Sequence, residues 1–355
     1  MATETSSERR LIIHCDDMGM CQASNLAVQR LFTETPIRTG SVMVPCPWAR
    51  EIIHWLTTGA QQPSAQDPAQ STQESANPGV MLADASPRVP AWDVGVHLTL
   101  TSEWDTYRWR PISGPPYPPQ TGVARSSAAE GGQERSETDD PTTRWQGLID
   151  PEGFLWRSAA DVARHAAPVA VRAELLAQVE TARRWGLVPT HVDTHMGTVF
   201  ATIPFLQAYL ESAAAARVPA MLPLATPAVK AQYAKAGLPV DEIEAIVEKV
   251  RGPKLQGLFQ VPATDSLAAK KRVVERFLEG LPAGLTQLII HPAADTPELR
   301  AIYPGWQQRV WDMEAFLDLS VYRRLDELGI RLTTWAEESL AKDSPLRAIT
   351  PLQPS

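Results

Sequence analysis

Four short apolar runs in this sequence carry acidic or imidazole side chains at or near their ends. Apolar runs of this length predict buried β-strands, and the carboxyl ends of parallel strands open onto one face of a sheet. We therefore expect these polar side chains to gather at one end of an α/β fold. The runs begin at Leu11, Val94, Val192 and Leu288, and their polar residues are Asp16 and Asp17, then His97, then Asp193 and His195, and finally His291.

Amphipathic helical patterns lie between the apolar runs, for example at residues 24–32, 158–185, 203–216 and 266–281. Two further short strands are predicted at 222–224 and 258–261. Strands that alternate with helices predict a parallel sheet, either closed as a TIM-like (β/α) barrel or doubly wound. We expect one domain over residues 1–355, because barrels of this kind routinely reach such a length.

Two stretches, at about 61–90 and 107–143, interrupt this alternation. The first is rich in Gln, Ser, Ala and Pro, and the second in Pro, Gly, Ser, Arg and Glu. Neither has helical or strand periodicity. We predict that both are low-complexity insertions outside the core.

Composition excludes several classes of protein. The net charge is -8 and no long run of Lys and Arg offsets it, so we expect no nucleic-acid partner. No apolar run approaches the ~20 residues of a membrane span, and residues 1–10 lack an apolar signal core. A cytoplasmic protein without a membrane partner is the resulting expectation. The three cysteines have no CxxC spacing, and no glycine-rich nucleotide loop, GxSxG or HExxH motif is present.

The adjacent pair Asp16 and Asp17 follows the first run. Neighbouring residues of an extended segment point to opposite sides, so we expect different tasks for the two carboxylates. One would bind a metal and the other would accept a proton from water, although a helix cap and a turn aspartate are the structural alternative. His97 lies inside an apolar strand, where an imidazole is either neutral and hydrogen-bonded or a ligand.

His191, Asp193 and His195 are spaced by two and should share one face of a strand. Burying two imidazoles and a carboxylate together is expensive without a metal ion or a hydrogen-bond network. One histidine would be a ligand and Asp193 would orient it; a structural polar ladder is the alternative. His291 sits at a strand-to-loop junction, which suits a proton donor as well as an ordinary loop histidine.

Three other histidines are predicted to be bystanders. His54 and His165 fall on predicted helices, and strand alternation is taken to turn His14 away from the acidic pair.

These motifs resemble those of the YdjC-type carbohydrate deacetylases, relatives of the chitooligosaccharide deacetylases. The family opening Ala-Asp-Asp-Phe-Gly stands here as residues 15–19, and Gly-Val-His-Leu-Thr-Leu is intact at 95–100. Thr-His-Ile-Asp-Ser-His corresponds to residues 190–195, and His-Pro to His291 and Pro292. One departure is that Met196, Gly197 and Val199 stand where family members commonly carry more histidines.

The resemblance implies an α/β fold of the (β/α) barrel type, often incomplete. It implies a divalent metal ion, Mg2+ or Zn2+, on Asp17, His97 and His195, with His191 competing for the last place. Asp16 would be the general base, and His291 the general acid or a substrate contact.

The implied reaction removes N-acetyl groups from an amino sugar or oligosaccharide by hydrolysis of the amide C–N bond. A small carbohydrate would be the partner, and a homodimer is compatible with this. Two alternatives stay open: a catalytically silent carbohydrate-binding barrel, and another metal hydrolase such as a phosphoesterase. The latter would be expected to carry His-x-His where this chain has Asp16 and Asp17.

Overall fold

The computed structural model describes residues 8–59, 91–114, 145–235 and 237–340. The expected insertion at 61–90 therefore lies outside the described residues, as does most of the one at 107–143. Within the described ranges, no helix is both long and apolar enough to cross a bilayer.

The described strands form one parallel sheet. They are β1 (Arg9–Met18), β2 (Thr39–Val42), β3 (Asp93–Leu98), β4 (Val192–Thr194), β5 (Gly257–Gln260), β6 (Gly284–Ile290) and β7 (Ile330–Leu332). Six of them follow the order β4-β3-β2-β1-β6-β5, and β7 pairs with β1. The sheet curves into a half-barrel surrounded by helices, which confirms the predicted incomplete (β/α) barrel.

Helices follow most of the strands. They are α1 (Gln22–Glu34), α2 (Ala49–His54), α3 (Ala159–His165), α4 (Pro168–Arg184), α5 (Ile203–Ala216), α6 (Pro227–Lys235), α7 (Val240–Lys249), α8 (Leu267–Glu279), α9 (Pro297–Ile302), α10 (Trp306–Leu317), α11 (Ser320–Glu327) and α12 (Trp335–Leu340). The helix predicted at 158–185 is in fact two, because Pro168 occupies the first turn of α4. Proline lacks the amide hydrogen that a continuous helix would need there.

Strand β1 is the centre of the sheet. Leu11, Ile12 and Ile13 are at most 2% exposed, as expected for a strand covered on both faces. Strand β6 pairs with one edge of β1. On the other edge, β7 pairs with the first residues of β1 and β2 pairs with the last ones. The carboxyl end of β1 consequently opens into the middle of the barrel mouth.

An irregular segment, residues 219–224, connects the two edge strands. Met221 donates its amide hydrogen to the carbonyl of Val192 in β4 at 2.8 Å. Leu224 donates in the same way to Leu255, just before β5, at 2.7 Å. The strand predicted at 222–224 is therefore absent as a regular strand, but this piece of chain still links β4 to β5 by backbone hydrogen bonds.

The start of the second predicted insertion is packed against the core, so its boundary at residue 107 is wrong. Trp109 is 2% exposed and donates from Nε1 to the carbonyl of Thr101 at 2.8 Å. The buried carboxylate of Glu174 on α4 accepts the amide hydrogens of Ile112 and Ser113. The Pro- and Ser-rich composition concealed this anchoring, and only residues 115–143 remain as the predicted insertion.

Candidate functional site

A bulge at the end of β1 brings two adjacent carboxylates into one cavity. The pairing of β1 with β2 shifts register between Cys15 and Met18, and Asp17 has a left-handed backbone with φ of 62°. A bulge re-aims the side chains that follow it, and Asp is among the residues that tolerate this conformation best. Asp16 and Asp17 both line the same cavity. The expectation that they point to opposite sides was wrong, because it assumed a regular strand.

Three side chains converge within the cavity and form what we name the Asp-His-His cluster: Asp17, His97 and His195. Asp17 Oδ1 lies 3.4 Å from His97 Nε2 and 3.2 Å from His195 Nδ1, and the two nitrogens are 3.3 Å apart. Although Asp17 Oδ1 is buried, it has no well-formed hydrogen bond within the described ranges. Ligands about 2.1 Å from one tetrahedral ion would lie about 3.4 Å from each other. The donor set and its spacing therefore fit a divalent metal ion.

Each imidazole of the cluster has a carboxylate behind it. His97 Nδ1 lies 2.9 Å from Asp193 Oδ1, whose other oxygen accepts the hydroxyl hydrogen of Ser41 at 2.8 Å. His195 Nε2 lies 3.0 Å from Glu103 Oε2. A metal-ligating imidazole characteristically gives its second ring N–H to a carboxylate, which fixes ring orientation and tautomer. This arrangement is a second observation that fits a metal on the cluster.

Each carboxylate behind the cluster comes from a different segment of the chain than the histidine it contacts. Asp193 contacts the histidine of the neighbouring strand, His97, rather than one on its own strand, because β3 and β4 run side by side with His97 opposite Asp193. Sequence reasoning missed Glu103 altogether. An acidic residue shortly after the end of β3 was the available signal, since Asp16 and Asp17 were found at the end of a predicted strand.

The cluster concentrates negative charge. Burial raises the pKa of Asp17, but the Arg309 guanidinium, 2.8 Å from Oδ2, and the nearby imidazoles outweigh burial and hold it well below its usual range. Burial lowers the pKa of His97, but Asp193 and Asp16 outweigh it and raise this pKa well above the ordinary value. Burial also lowers the pKa of His195, but Glu103 and Asp17 outweigh it and raise this pKa to about 9. These carboxylates thus favour a positive charge on or between the ring nitrogens. A proton and a metal ion would compete for those nitrogens.

Below the Asp-His-His cluster lies an imidazole pair, His14 and His191, both fully buried. Their Nε2 atoms are 2.8 Å apart. His14 Nδ1 lies 2.6 Å from Asp16 Oδ1. The expectation that His14 points away from the acidic pair was wrong: His14 and Asp16 are two residues apart on β1 and share a face. His191, the competing ligand candidate, lies in this pair and outside the Asp-His-His cluster.

His291 enters the cavity from the end of β6. Its Nε2 is 4.0 Å from Asp17 Oδ2, and no described group forms a hydrogen bond with its imidazole ring. The backbone amide of His291 donates to Asp312 Oδ2 at 3.0 Å, and Asp312 Oδ1 is paired with buried Lys270 at 2.6 Å. Burial lowers the pKa of His291 despite Asp17, so its imidazolium form gives up its proton more readily than a free imidazolium. His54 and His165 end α2 and α3 and do not line this cavity.

The cavity has a volume of about 470 Å³ and a lining of two kinds. The polar part consists of the carboxylates and imidazoles described above together with Arg309. The rest is mostly apolar and includes Phe200, Met221, Val229, Tyr233, Leu238 and Leu258. A cavity of this size and lining is typical of a small-molecule site.

These features define an incomplete (β/α) barrel with carboxylates and imidazoles at the carboxyl ends of its strands. The chain belongs to the YdjC-like protein family, whose profile matches residues 10–327. This confirms the family resemblance inferred from the motifs.

Two known proteins illustrate the relationship. A protein of Thermus thermophilus named carbohydrate deacetylase is 28% identical over 324 residues, which cover 90% of each chain. A solved structure from Enterococcus faecalis V583, of a proposed cellobiose-phosphate cleavage protein, superposes with a TM-score of 0.65. That match is 16% identical and covers 93% of this chain and 98% of the other, so it supports the fold.

Proposed function

We propose that this protein is a metal-dependent carbohydrate deacetylase, which hydrolyses the amide bond of an N-acetylated amino sugar or oligosaccharide. The observation that carries the proposal is the convergence of Asp17 Oδ1, His97 Nε2 and His195 Nδ1 within 3.4 Å of each other. The Thermus thermophilus relative named carbohydrate deacetylase supports the same activity.

Asp17, His97 and His195 would hold the metal ion. When bound, a divalent ion in such a site polarises the substrate carbonyl and lowers the pKa of water. Two nitrogens and one oxygen suit Zn2+, and the surrounding carboxylates also admit Mg2+. Asp193 and Glu103 keep the two imidazoles turned toward the ion, and Arg309 fixes the other oxygen of Asp17.

Asp16 would act as the general base. Its Oδ2 lies 3.9 Å from His97 Nε2, so this oxygen faces the Asp-His-His cluster. There it accepts the proton of the water that attacks the acetyl carbon. A positioned base of this kind contributes about 10²–10⁴-fold to rate.

His291 would donate the proton to the departing nitrogen. Its Nε2 lies 4.0 Å from Asp17 Oδ2. Because no group in the described part of the chain forms a hydrogen bond with its ring, the ring can contact a substrate. Cleavage of the C–N bond then yields acetate and a free amine. The apolar residues of the lining suit the C–H face of a pyranose ring.

The test is acetate release by the purified full-length chain, loaded with Zn2+ or Mg2+, over a panel of N-acetylated mono- and oligosaccharides. Asp16→Asn should retain the metal and the melting temperature while turnover falls about 10²–10⁴-fold. Asp105→Asn is the matched control, because that carboxylate is exposed and pairs only with Arg157 in the described structure.

Two outcomes would contradict the proposal. Wild-type turnover in Asp16→Asn would remove Asp16 from the mechanism. Binding of sugars with no acetate from the metal-loaded wild type would favour the silent carbohydrate-binding barrel.

A further inference from the structure

Asp16 is held by a buried chain of hydrogen bonds whose other members, His14, His191 and Thr190, do not line the cavity. Its Oδ1 is 2.6 Å from His14 Nδ1, and His14 Nε2 is 2.8 Å from His191 Nε2. At the far end, His191 Nδ1 lies 3.0 Å from the hydroxyl oxygen of Thr190. Burying two imidazoles is costly unless their ring nitrogens are hydrogen-bonded, and this chain provides a partner for all four.

The His191 end of this chain of hydrogen bonds is held rigidly. A Cβ atom on Gly95 would lie 2.7 Å from His191 Cδ2 and Nε2, so the imidazole occupies the space that only glycine leaves free. On its other side, His191 stacks on Trp335 with ring centroids 5.5 Å apart and planes 23° apart. His191 therefore cannot move away from His14 without displacing the core.

The same hydrogen bonds also determine which nitrogen of His14 carries the hydrogen that faces Asp16. A general base acts as the carboxylate, which only accepts hydrogen bonds, so with Asp16 in its proposed role His14 Nδ1 carries the hydrogen that points at Oδ1. The contact between the two Nε2 atoms needs one further hydrogen, which either ring can supply. In both arrangements Nδ1 remains the donor to Asp16.

From this geometry we propose that His14 is a positioning residue for the reaction: it fixes Oδ1 of Asp16 so that Oδ2 faces the Asp-His-His cluster. The inference rests on the proposed function of Asp16 as the base. His14 itself is fully buried, and it neither lines the cavity nor belongs to the Asp-His-His cluster. Its Nε2 is 3.8 Å from Asp193 Oδ2, beyond hydrogen-bond reach, so its hydrogen-bonded route to the cavity runs through the Asp16 carboxylate.

Two substitutions at His14 separate positioning from packing. In His14→Asn the side-chain amide nitrogen takes the place of Nδ1, so a donor to Asp16 is kept and the contact with His191 is lost. In His14→Gln the amide lies near the place of Nε2, so the contact with His191 is kept and the donor to Asp16 is lost. His54→Gln, on the exposed end of α2, is the control for a His-to-Gln change.

We expect His14→Gln to lower kcat about ten- to a hundred-fold, the effect typical of a lost orienting partner. KM and metal content should stay near the wild-type values, because the cavity and the Asp-His-His cluster are untouched. His14→Asn should recover most of kcat although it also breaks a buried hydrogen bond. A merely structural role predicts equal losses in both variants, in step with the melting temperature.

Crystal structures of metal-loaded wild type and His14→Gln provide a readout that needs no turnover. The Asp16 carboxylate should rotate in the variant and stay in place in His14→Asn. Absence of turnover in the wild type would refute the proposed function, and the Asp16 orientation would then decide this inference alone. An unmoved Asp16 in His14→Gln, wild-type kcat in that variant, or equal losses in both variants would overturn it.

Discussion

The Asp-His-His cluster and the imidazole pair use the same side chain in opposite ways. In the pair, two nitrogens lie 2.8 Å apart, a distance that one shared hydrogen satisfies. In the cluster, His97 Nε2 and His195 Nδ1 are 3.3 Å apart, and the Asp17 oxygen that faces both lacks a well-formed hydrogen bond among the described residues. Every ring nitrogen of the pair has a hydrogen-bond partner, whereas a buried oxygen of the cluster has none in the described part of the chain.

The difference teaches that neither burial nor histidine count identifies a metal centre. All four imidazoles are at least 96% buried. What separates them is the second ring nitrogen: carboxylates back both rings of the cluster, while the pair is backed by Asp16 at one end and by a hydroxyl at the other. Metal removal and substitution should therefore affect the two regions very differently.

The largest effect on metal binding is expected at the Asp-His-His cluster itself. His97→Ala should reduce the bound divalent ion from about one per chain to almost none, since it removes one of three ligands. Elemental analysis after gel filtration measures this, with melting temperature as the check on folding. If His97→Ala carried as much metal as the wild type or as His14→Asn, the distinction between the two regions would fail.

An intermediate effect is expected when a carboxylate behind the cluster is neutralised. Asp193→Asn should weaken metal affinity about 10–100-fold, because the imidazole of His97 loses its charged orienting partner. Glu103→Gln should act in the same direction but less, since the Glu103 side chain is 22% exposed and solvent screens its charge. Competition with a chromophoric chelator at constant pH gives both affinities; no change for Asp193→Asn would refute the orienting role.

The smallest effect on metal affinity is expected from Gly95→Ala, whose methyl group would lie 2.7 Å from the His191 ring and from the His191 carbonyl oxygen, outside the Asp-His-His cluster. The new methyl group would collide with His191, and overpacking of this kind costs about 1–3 kcal/mol of stability. Melting temperature and turnover should both fall while metal affinity stays near the wild-type value. Metal loss as large as in Asp193→Asn would show instead that the two regions act as one network.

The sequence was sufficient to predict the barrel and most of the acidic and imidazole side chains that meet at its mouth. Apolar runs with polar ends located β1, β3, β4 and β6, because buried parallel strands have a simple composition. Period-two spacing also placed His191, Asp193 and His195 on one side, where they contact His14, His97 and Asp17 respectively. The same spacing would have paired His14 with Asp16 had it been applied there.

Other features could not be predicted because they depend on local irregularity. The left-handed backbone of Asp17 follows from a bulge opposite β2, and nothing in residues 15–19 specifies a bulge by itself. The packed segment 107–114 has the composition of a loop, and only its contacts with Glu174 and Thr101 make it part of the core. Tertiary contacts of this kind are invisible to periodicity.

The central position of β1 has a consequence for how the chain folds. Arg9 pairs with Gly284 and with Ile330, so the strand that carries Asp16 and Asp17 is synthesised early but acquires two of its neighbours late. At about 5–20 residues per second, β1 waits on the order of tens of seconds on the ribosome for β6. Contacts so distant in sequence also slow folding in the test tube. Until they form, the apolar β1 strand keeps an open edge, and the interval before β6 and β7 arrive is when a nascent chain is most exposed to aggregation.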